Sequence, residues 1–237
     1  MFSILKKEFN TFFSSSIGYL VIGLFLLFNG LLLWYFKGNW NIFNTGFADM
    51  QAFFDSTPWL LMLLIPAISM RSFSDEYTTG TIEILKTKPI DGWQIVGGKF
   101  LAVFSLIFMS LLPTLLYVVG ISNLAYPESI DLGRILGSYL GLLALSLSFS
   151  AIGLFSSILS QNQIISFIIG VLLSFLLFYG AEQWAIWNTH LPDFIQNIGL
   201  ISHYKSMARG VLDSRDFIYF LSVCLFFLLL TKLKLDK

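Results

Sequence analysis

Charge is what this chain has least of. Asp, Glu, Lys and Arg make up 12% of its 237 residues, against about 25% in soluble domains. Fourteen basic residues balance fourteen acidic ones, so no bulk attraction to nucleic acid is expected. The single cysteine, Cys224, excludes an intrachain disulfide. It lies in an apolar run and is expected to pack as a small apolar side chain. No GxxxxGK[ST] stretch occurs, so the chain has no phosphate-cradling loop of that kind. Its two histidines, His190 and His203, match no HExxH or other metal spacing and have no evident nucleophile partner. They read as polar surface or interface residues, with His203 able to brace neighbouring helices. The N-terminal MFSILKKEFNTFF is not a cleavable signal, because its charges fall inside the apolar pattern and no small-residue cleavage site precedes the first long run.

What replaces charge is apolar surface. The composition is 56% hydrophobic with 25 Phe, and the mean hydropathy is +0.78. Repeated charge-free runs near spanning length place the chain in a bilayer. A soluble core is excluded, since no polar shell remains to cover it. Six spans are expected: Ile17 to Phe36, about Phe53 to Met70, Phe100 to Ser122, Ile135 to Leu159, Ile164 to Ala181, and Phe217 to Thr231. Asp55 and Pro58 blur the start of the second, and Pro66 is expected to kink it. The sixth is short and needs snorkelling lysines or an earlier start.

Six spans put both termini on one side. That side collects nine Lys/Arg, namely Lys6, Lys7, Arg71, Lys86, Lys88, Lys99, Lys232, Lys234 and Lys237. The other side has five, Lys37, Arg134, Lys205, Arg209 and Arg215. The positive-inside rule makes the termini and the 71–99 loop cytoplasmic. Ahead of the first span, Phe2, Leu5, Phe9, Phe12 and Phe13 recur at helical spacing with Lys6, Lys7 and Asn10 between them. Residues 1–14 therefore read as an interfacial helix. The 182–216 segment is half apolar, with Trp184 and Trp187 suited to an interface, and reads as a re-entrant or interfacial stretch. The fold class is an all-α polytopic membrane protein, a single transmembrane domain over 1–237.

The cores of the six spans carry no Asp, Glu, Lys, Arg or His, and Arg134 and Glu182 lie at span ends. This argues against an ion-coupled carrier or a charge-selective pore. Gly133, Gly137 and Gly141 form GxxxGxxxG, and Ser146, Ser148, Ser150 and Gly153 follow. Small residues permit close helix approach. Packing within one subunit is the expectation, and a subunit interface the alternative.

One internal stretch gathers charge: RSFSDEYTTGTIEILKTKP, Arg71 to Pro89, with Asp91 just beyond. Thr79-Gly80 reads as a break and restart, with Ser74, Thr78 and Thr79 as possible N-caps. A short helix follows over Thr81 to Lys86. Glu83 near its start and Lys86 and Lys88 near its end match the helix dipole, and Pro89 prevents continuation. Ile82 and Leu85 can face one way, Glu83 and Lys86 another. Helix–helix links usually take about 2–8 residues. This longer one favours a docking element over a solvated connector.

The stretch IPAISMRSFSDEYTTGTIEILKTKPIDGWQIVGGKFLA, Ile65 to Ala102, resembles the signature region of type-2 ABC transporter permeases. The resemblance rests on Arg71, Phe73, Glu76, Gly80-Thr81, Glu83, Leu85, Pro89, Ile95-Val96, Gly98 and Lys99. More narrowly, HYKSMARGVLDSRDFIYFLSV, His203 to Val223, resembles the permease subunit associated with gliding motility. The resemblance implies a multi-pass permease subunit of the bacterial inner membrane, of export type and paired with a second permease copy or a related permease. It implies that ATP and Mg are bound by a separate cytoplasmic ATPase, with no cofactor, metal or catalytic residue on this chain. The loop helix would be the coupling helix, with Glu76, Gly80, Thr81, Glu83, Leu85, Lys86 and Pro89 as the coupling residues. The narrower resemblance adds a membrane-anchored motility subunit to the expected partners, beside membrane lipid. The competing reading is a scaffold that recruits a cytoplasmic ATPase or motility machinery without transport.

Overall fold

In hydrocarbon every backbone N–H and C=O must be satisfied within its own segment, which makes the apolar runs helices. A computed structural model describes residues 1–45, 49–87, 91–125, 130–187 and 199–236, and every regular element among them is helical. α1 (Phe2–Ser14) and α2 (Ser16–Trp34) meet at a bend of 73°. Ser15 is extended there. Gly18 permits the close approach, because a Cβ would lie 2.4 Å from the Phe12 carbonyl oxygen. A single turn, α3 (Ile42–Thr45), precedes α4 (Gln51–Ser69), which carries Pro58 and Pro66 in one unbroken helical run.

Next come α5 (Arg71–Thr78), α6 (Thr81–Thr87) and α7 (Gly92–Leu111). A 3-10 turn over Leu112–Thr114 separates α7 from α8 (Leu115–Leu124). Pro113 sits in that turn and supplies no N–H to a continuing ladder. α9 (Leu132–Leu159) is an uninterrupted 28 residues. α10 (Gln163–Phe175) passes through a π turn, Leu176–Gly180, into α11 (Ala181–Trp187). α12 (Leu200–Ala208) and α13 (Ser214–Leu235) complete the described elements.

Among the described residues, five helical runs are long and apolar enough to cross a bilayer: Gln51–Thr78, Gly92–Leu124, Leu132–Leu159, Gln163–Trp184 and Ser214–Leu235. α2 passes the same test only together with α1 across their bend, which gives six spans if that pair is counted as one. Three expectations need correction. The third span starts at Gly92 rather than Phe100, so Lys99 lies inside a spanning helix. The sixth is 22 residues long, because the Asp213 side chain caps it by accepting the Arg215 N–H and it runs on to Leu235. Residues 71–78, expected at the start of the 71–99 loop, are helix.

α9 is the axis of the bundle. Leu142, Leu145, Phe149, Ile152 and Leu154 are fully buried on it. Two of its hydroxyls find acceptors on its own turn or on a neighbour, Ser146 donating to the Leu142 carbonyl at 2.7 Å and Ser148 to the Phe220 carbonyl of α13 at 3.1 Å, while the buried Ser150 hydroxyl has no partner. In α2, Thr57 of α4 donates to Asn29 Oδ1 at 3.2 Å, a buried polar tie between two spans. Outward, Leu20 and Leu24 of α2, Ile164 and Ile168 of α10, and Ile218 and Leu221 of α13 are exposed. Apolar faces this extensive suit lipid rather than water.

The glycine stripe is used inside the subunit. A Cβ at Gly137 would lie 3.0 Å from both the Met207 carbonyl oxygen and the Gly210 Cα, and one at Gly141 3.1 Å from Met207 Cβ. Gly133 meets only Asp131. Gly137→Ala presses on backbone that cannot rotate away. It is expected to cost about 1–3 kcal/mol by overpacking, read as a lower melting temperature of the detergent-solubilised chain. An unchanged melting temperature would contradict this packing.

Candidate functional site

At the end of the bundle that carries the termini, α4 does not simply continue into α5. Met70 joins them in helical conformation, yet Ser157 of α9 enters the ladder there. Its Oγ accepts the N–H groups of Phe73 (2.8 Å) and Ser74 (3.3 Å) and donates to the Met70 carbonyl (3.1 Å). Met70 C=O and Ser74 N–H are an i to i−4 pair, so Ser157 is inserted where a backbone bond belongs, a recognised cause of helix breaks. The far end of α5 is tied to the α9–α10 turn: Thr78 donates to the Gln161 carbonyl at 2.8 Å, and Gln163 Nε2 donates to Asp75 Oδ1.

Behind α5 lies an ion cluster. Lys99 has a fully buried side chain, and its Nζ lies 2.9 Å from Glu8 Oε1, 3.0 Å from Glu76 Oε1 and 2.5 Å from the Ser72 carbonyl oxygen. The ammonium hydrogen-bonds Glu8 and the Ser72 carbonyl and forms an ion pair with Glu76. The Phe73 ring centroid is 4.9 Å from the same Nζ, a cation–π contact. Lys7, on the solvent side, donates to Glu76 at 3.0 Å. The cluster joins α1, α5 and α7. Close packing makes this possible: a Cβ on Gly98 would meet Ile4 Cβ and the Met1 carbonyl oxygen, each at 3.0 Å.

Burial lowers the Lys7 pKa, but its hydrogen bond to Glu76 and the charges of Glu76 and Glu8 outweigh this, so the pKa lies above its ordinary 10.5. The stability this adds is complete below 10.5, and so at neutral pH. It is lost only as pH rises through the higher folded value. The side chain is 60% exposed, so the contribution is small.

Ahead of the cluster stands α6. Gly80 has φ +70°, a left-handed conformation that glycine adopts without a Cβ penalty, and this breaks α5 from α6. Thr79 is the C-cap residue of α5, and its hydroxyl lies 2.9 Å from that of Thr81. Ser74 and Thr78 are not N-caps. Both lie inside α5 with their hydroxyls on the Met70 and Ser74 carbonyls, four residues back. Ile82 is buried and Glu83 is exposed. Leu85 and Lys86 lie on α6, and Pro89 falls outside the described residues. Of the expected coupling residues, Gly80, Thr81 and Glu83 are thus together on one projecting element. Glu76 is not on that surface: it is 7% exposed and turned to Lys99.

The sequence reading did not single out Lys7, Glu8, Ser72 or Ser157. The sequence places Lys99 in the 71–99 loop, just ahead of the third apolar run. On the opposite face of the bundle, His203 Nδ1 lies 2.6 Å from Asp216 Oδ1, and its ring stacks on Tyr219 at 4.1 Å. It braces α12 against α13. His190 lies outside the described residues, and among the described residues no three His, Cys, Asp or Glu are grouped to hold a metal.

The fold and this end of the bundle define a polytopic helical membrane protein, with a projecting helix anchored by buried charge. The sequence profile of ABC-2 family transporter proteins matches residues 4–177, most of the chain and all of the site just described. The chain belongs to that family, whose members are membrane components that generally pair with an ATP-binding subunit. No curated protein matches it.

Proposed function

We propose that the chain is the permease subunit of an export-type ABC transporter in a bacterial inner membrane, with both termini cytoplasmic and the whole of 1–237 acting as one transmembrane domain. Two permeases enclose the path, and separate ATPase subunits bind ATP and Mg. α6 is the coupling helix, with Gly80, Thr81, Glu83, Leu85, Lys86 and Pro89 at the joint and Glu76 passing load inward. The observation that carries this reading is the contrast between α6 and α5. α6 projects from a glycine break with Glu83 exposed, while α5 is fixed to α1 and α7 by the Lys99 cluster and to α9 by Ser157. A force on α6 therefore reaches three membrane helices instead of dissipating in a loop. The resemblance of His203 to Val223 to gliding-motility permeases extends the proposal to a motility role beside a membrane-anchored subunit.

The test places cysteines at Glu83 and at Leu85 in a Cys224→Ser background and crosslinks in native membranes. The expected capture is a P-loop ATPase, with a yield that changes when ATP is added. Capture of a partner without an ATPase fold favours the scaffold. No capture at either position, in membranes holding the intact complex, overturns the assignment of α6.

A further inference from the structure

The ion cluster leaves part of its surroundings unused. A cavity of about 190 Å³ lies between α1, α2, α4, α5 and α7. A water occupies about 30 Å³ of the liquid, so the space exceeds a single bridging water. One wall is apolar, including Phe12, Val21 and Val103. The other presents Lys7 and Arg71 beside Glu8, Asp75 and Glu76, with Lys99 neutralising the carboxylates from behind.

Two buried atoms of that charged wall have no hydrogen-bond partner, Glu76 Oε2 and Arg71 Nε. One is an anionic acceptor and the other a cationic donor, and a buried polar atom left unmade is costly. Three cations face three carboxylates, so neither a bare anion nor a bare cation suits the cavity. A group carrying both an ammonium and a phosphate matches each orphan with its complement.

We propose that the cavity binds the headgroup of a phosphatidylethanolamine-type phospholipid from the leaflet nearer the termini. The ammonium donates to Glu76 Oε2, and a phosphate oxygen accepts from Arg71 Nε, with Lys7 at the rim. The acyl chains leave past Val21 along the face of α2 on which Leu20, Leu24 and Leu27 are exposed. A choline headgroup has no N–H to give, and a glycerol headgroup has no cation. The amphipathic α1 places the cavity at the depth where headgroups lie.

Native mass spectrometry of the full chain tests this, with lipids of identical acyl chains and ethanolamine, choline or glycerol headgroups. No ATPase is present, so failure of the coupling reading leaves the result intact. The ethanolamine lipid is expected to be held about tenfold more tightly than the choline lipid, the scale of one charge-assisted hydrogen bond. Glu76→Gln and the cavity-filling Val21→Trp are each expected to abolish that preference, Arg71→Gln to weaken retention of all three lipids alike, and Leu225→Trp on the outer face of α13 to preserve it. Equal retention of all three lipids, tighter retention of the glycerol lipid, no retained lipid, or a preference that survives both Glu76→Gln and Val21→Trp overturns the proposal. If a variant fails to fold, the wild-type chain with mono-, di- and trimethylated headgroups decides. Retention must fall as N–H groups are lost.

Discussion

Lys99→Met is expected to destabilise the protein by about 3–5 kcal/mol, the usual cost of removing one partner from a buried ion pair. The substitution keeps an unbranched side chain one atom shorter and removes the charge and donors. Glu8 and Glu76 would then face each other with no buried cation between them, and the Ser72 carbonyl would lose its partner. Lys7 cannot replace Lys99. It reaches Glu76 at 3.0 Å from the solvent side, but lies 3.9 Å from Glu8. The measurement is thermal and chemical denaturation of the chain in detergent. The discriminating variant is the double mutant Lys99→Met with Glu76→Gln, which removes one stranded carboxylate together with the cation. Groups sharing a network show interaction energies of about 0.5–3 kcal/mol, so the double mutant should lose less than the two single losses added. Strict additivity would mean that these charges do not act as one cluster, and an unchanged melting temperature for Lys99→Met would mean that Lys99 is not buried against them.

That cluster also marks the limit of what the sequence made legible. The six spans, the N-terminal helix and the break at Gly80 follow from local features: apolar run length, 3.6-residue periodicity and the one residue type at ease at φ +70°. The failures share a different cause. The sequence starts the third span at Phe100, just past Lys99. Three acceptors, supplied by α1 and by two residues of α5, instead draw the helix eight residues further back, to Gly92. Glu8 and Lys99 are 91 residues apart, and no pattern along the chain announces that pairing. Ser74 and Thr78 had the residue types of N-caps, but hydroxyls inside a helix return to the carbonyl four residues back when the ladder runs through them. Glu76 was grouped with the coupling residues through its place in a motif. Its side chain shows that membership in a motif does not fix which way a residue faces.

Ser157→Ala is the second large effect expected. The hydroxyl bridges the break between α4 and α5, and Phe73 behind it is fully buried. Removing it leaves the Phe73 and Ser74 N–H groups without their acceptor and the Met70 carbonyl without one of its donors. A buried backbone donor left unsatisfied costs about 1–3 kcal/mol. Closing the ladder into a continuous helix would recover that energy only by swinging α5. That motion is opposed by the Glu76–Lys99 contact at one flank and by Thr78 on the Gln161 carbonyl at the other. The variant should therefore keep its fold, melt earlier, and exchange the amide hydrogens of residues 73 and 74 faster than the wild type. Ser157→Thr, which retains the oxygen, should restore slow exchange if the added methyl is tolerated. Exchange at wild-type rates in Ser157→Ala would show that α5 is held by its own ladder. The orientation of α6 would then owe nothing to α9, and the path from α6 into the bundle would reduce to the Lys99 cluster alone.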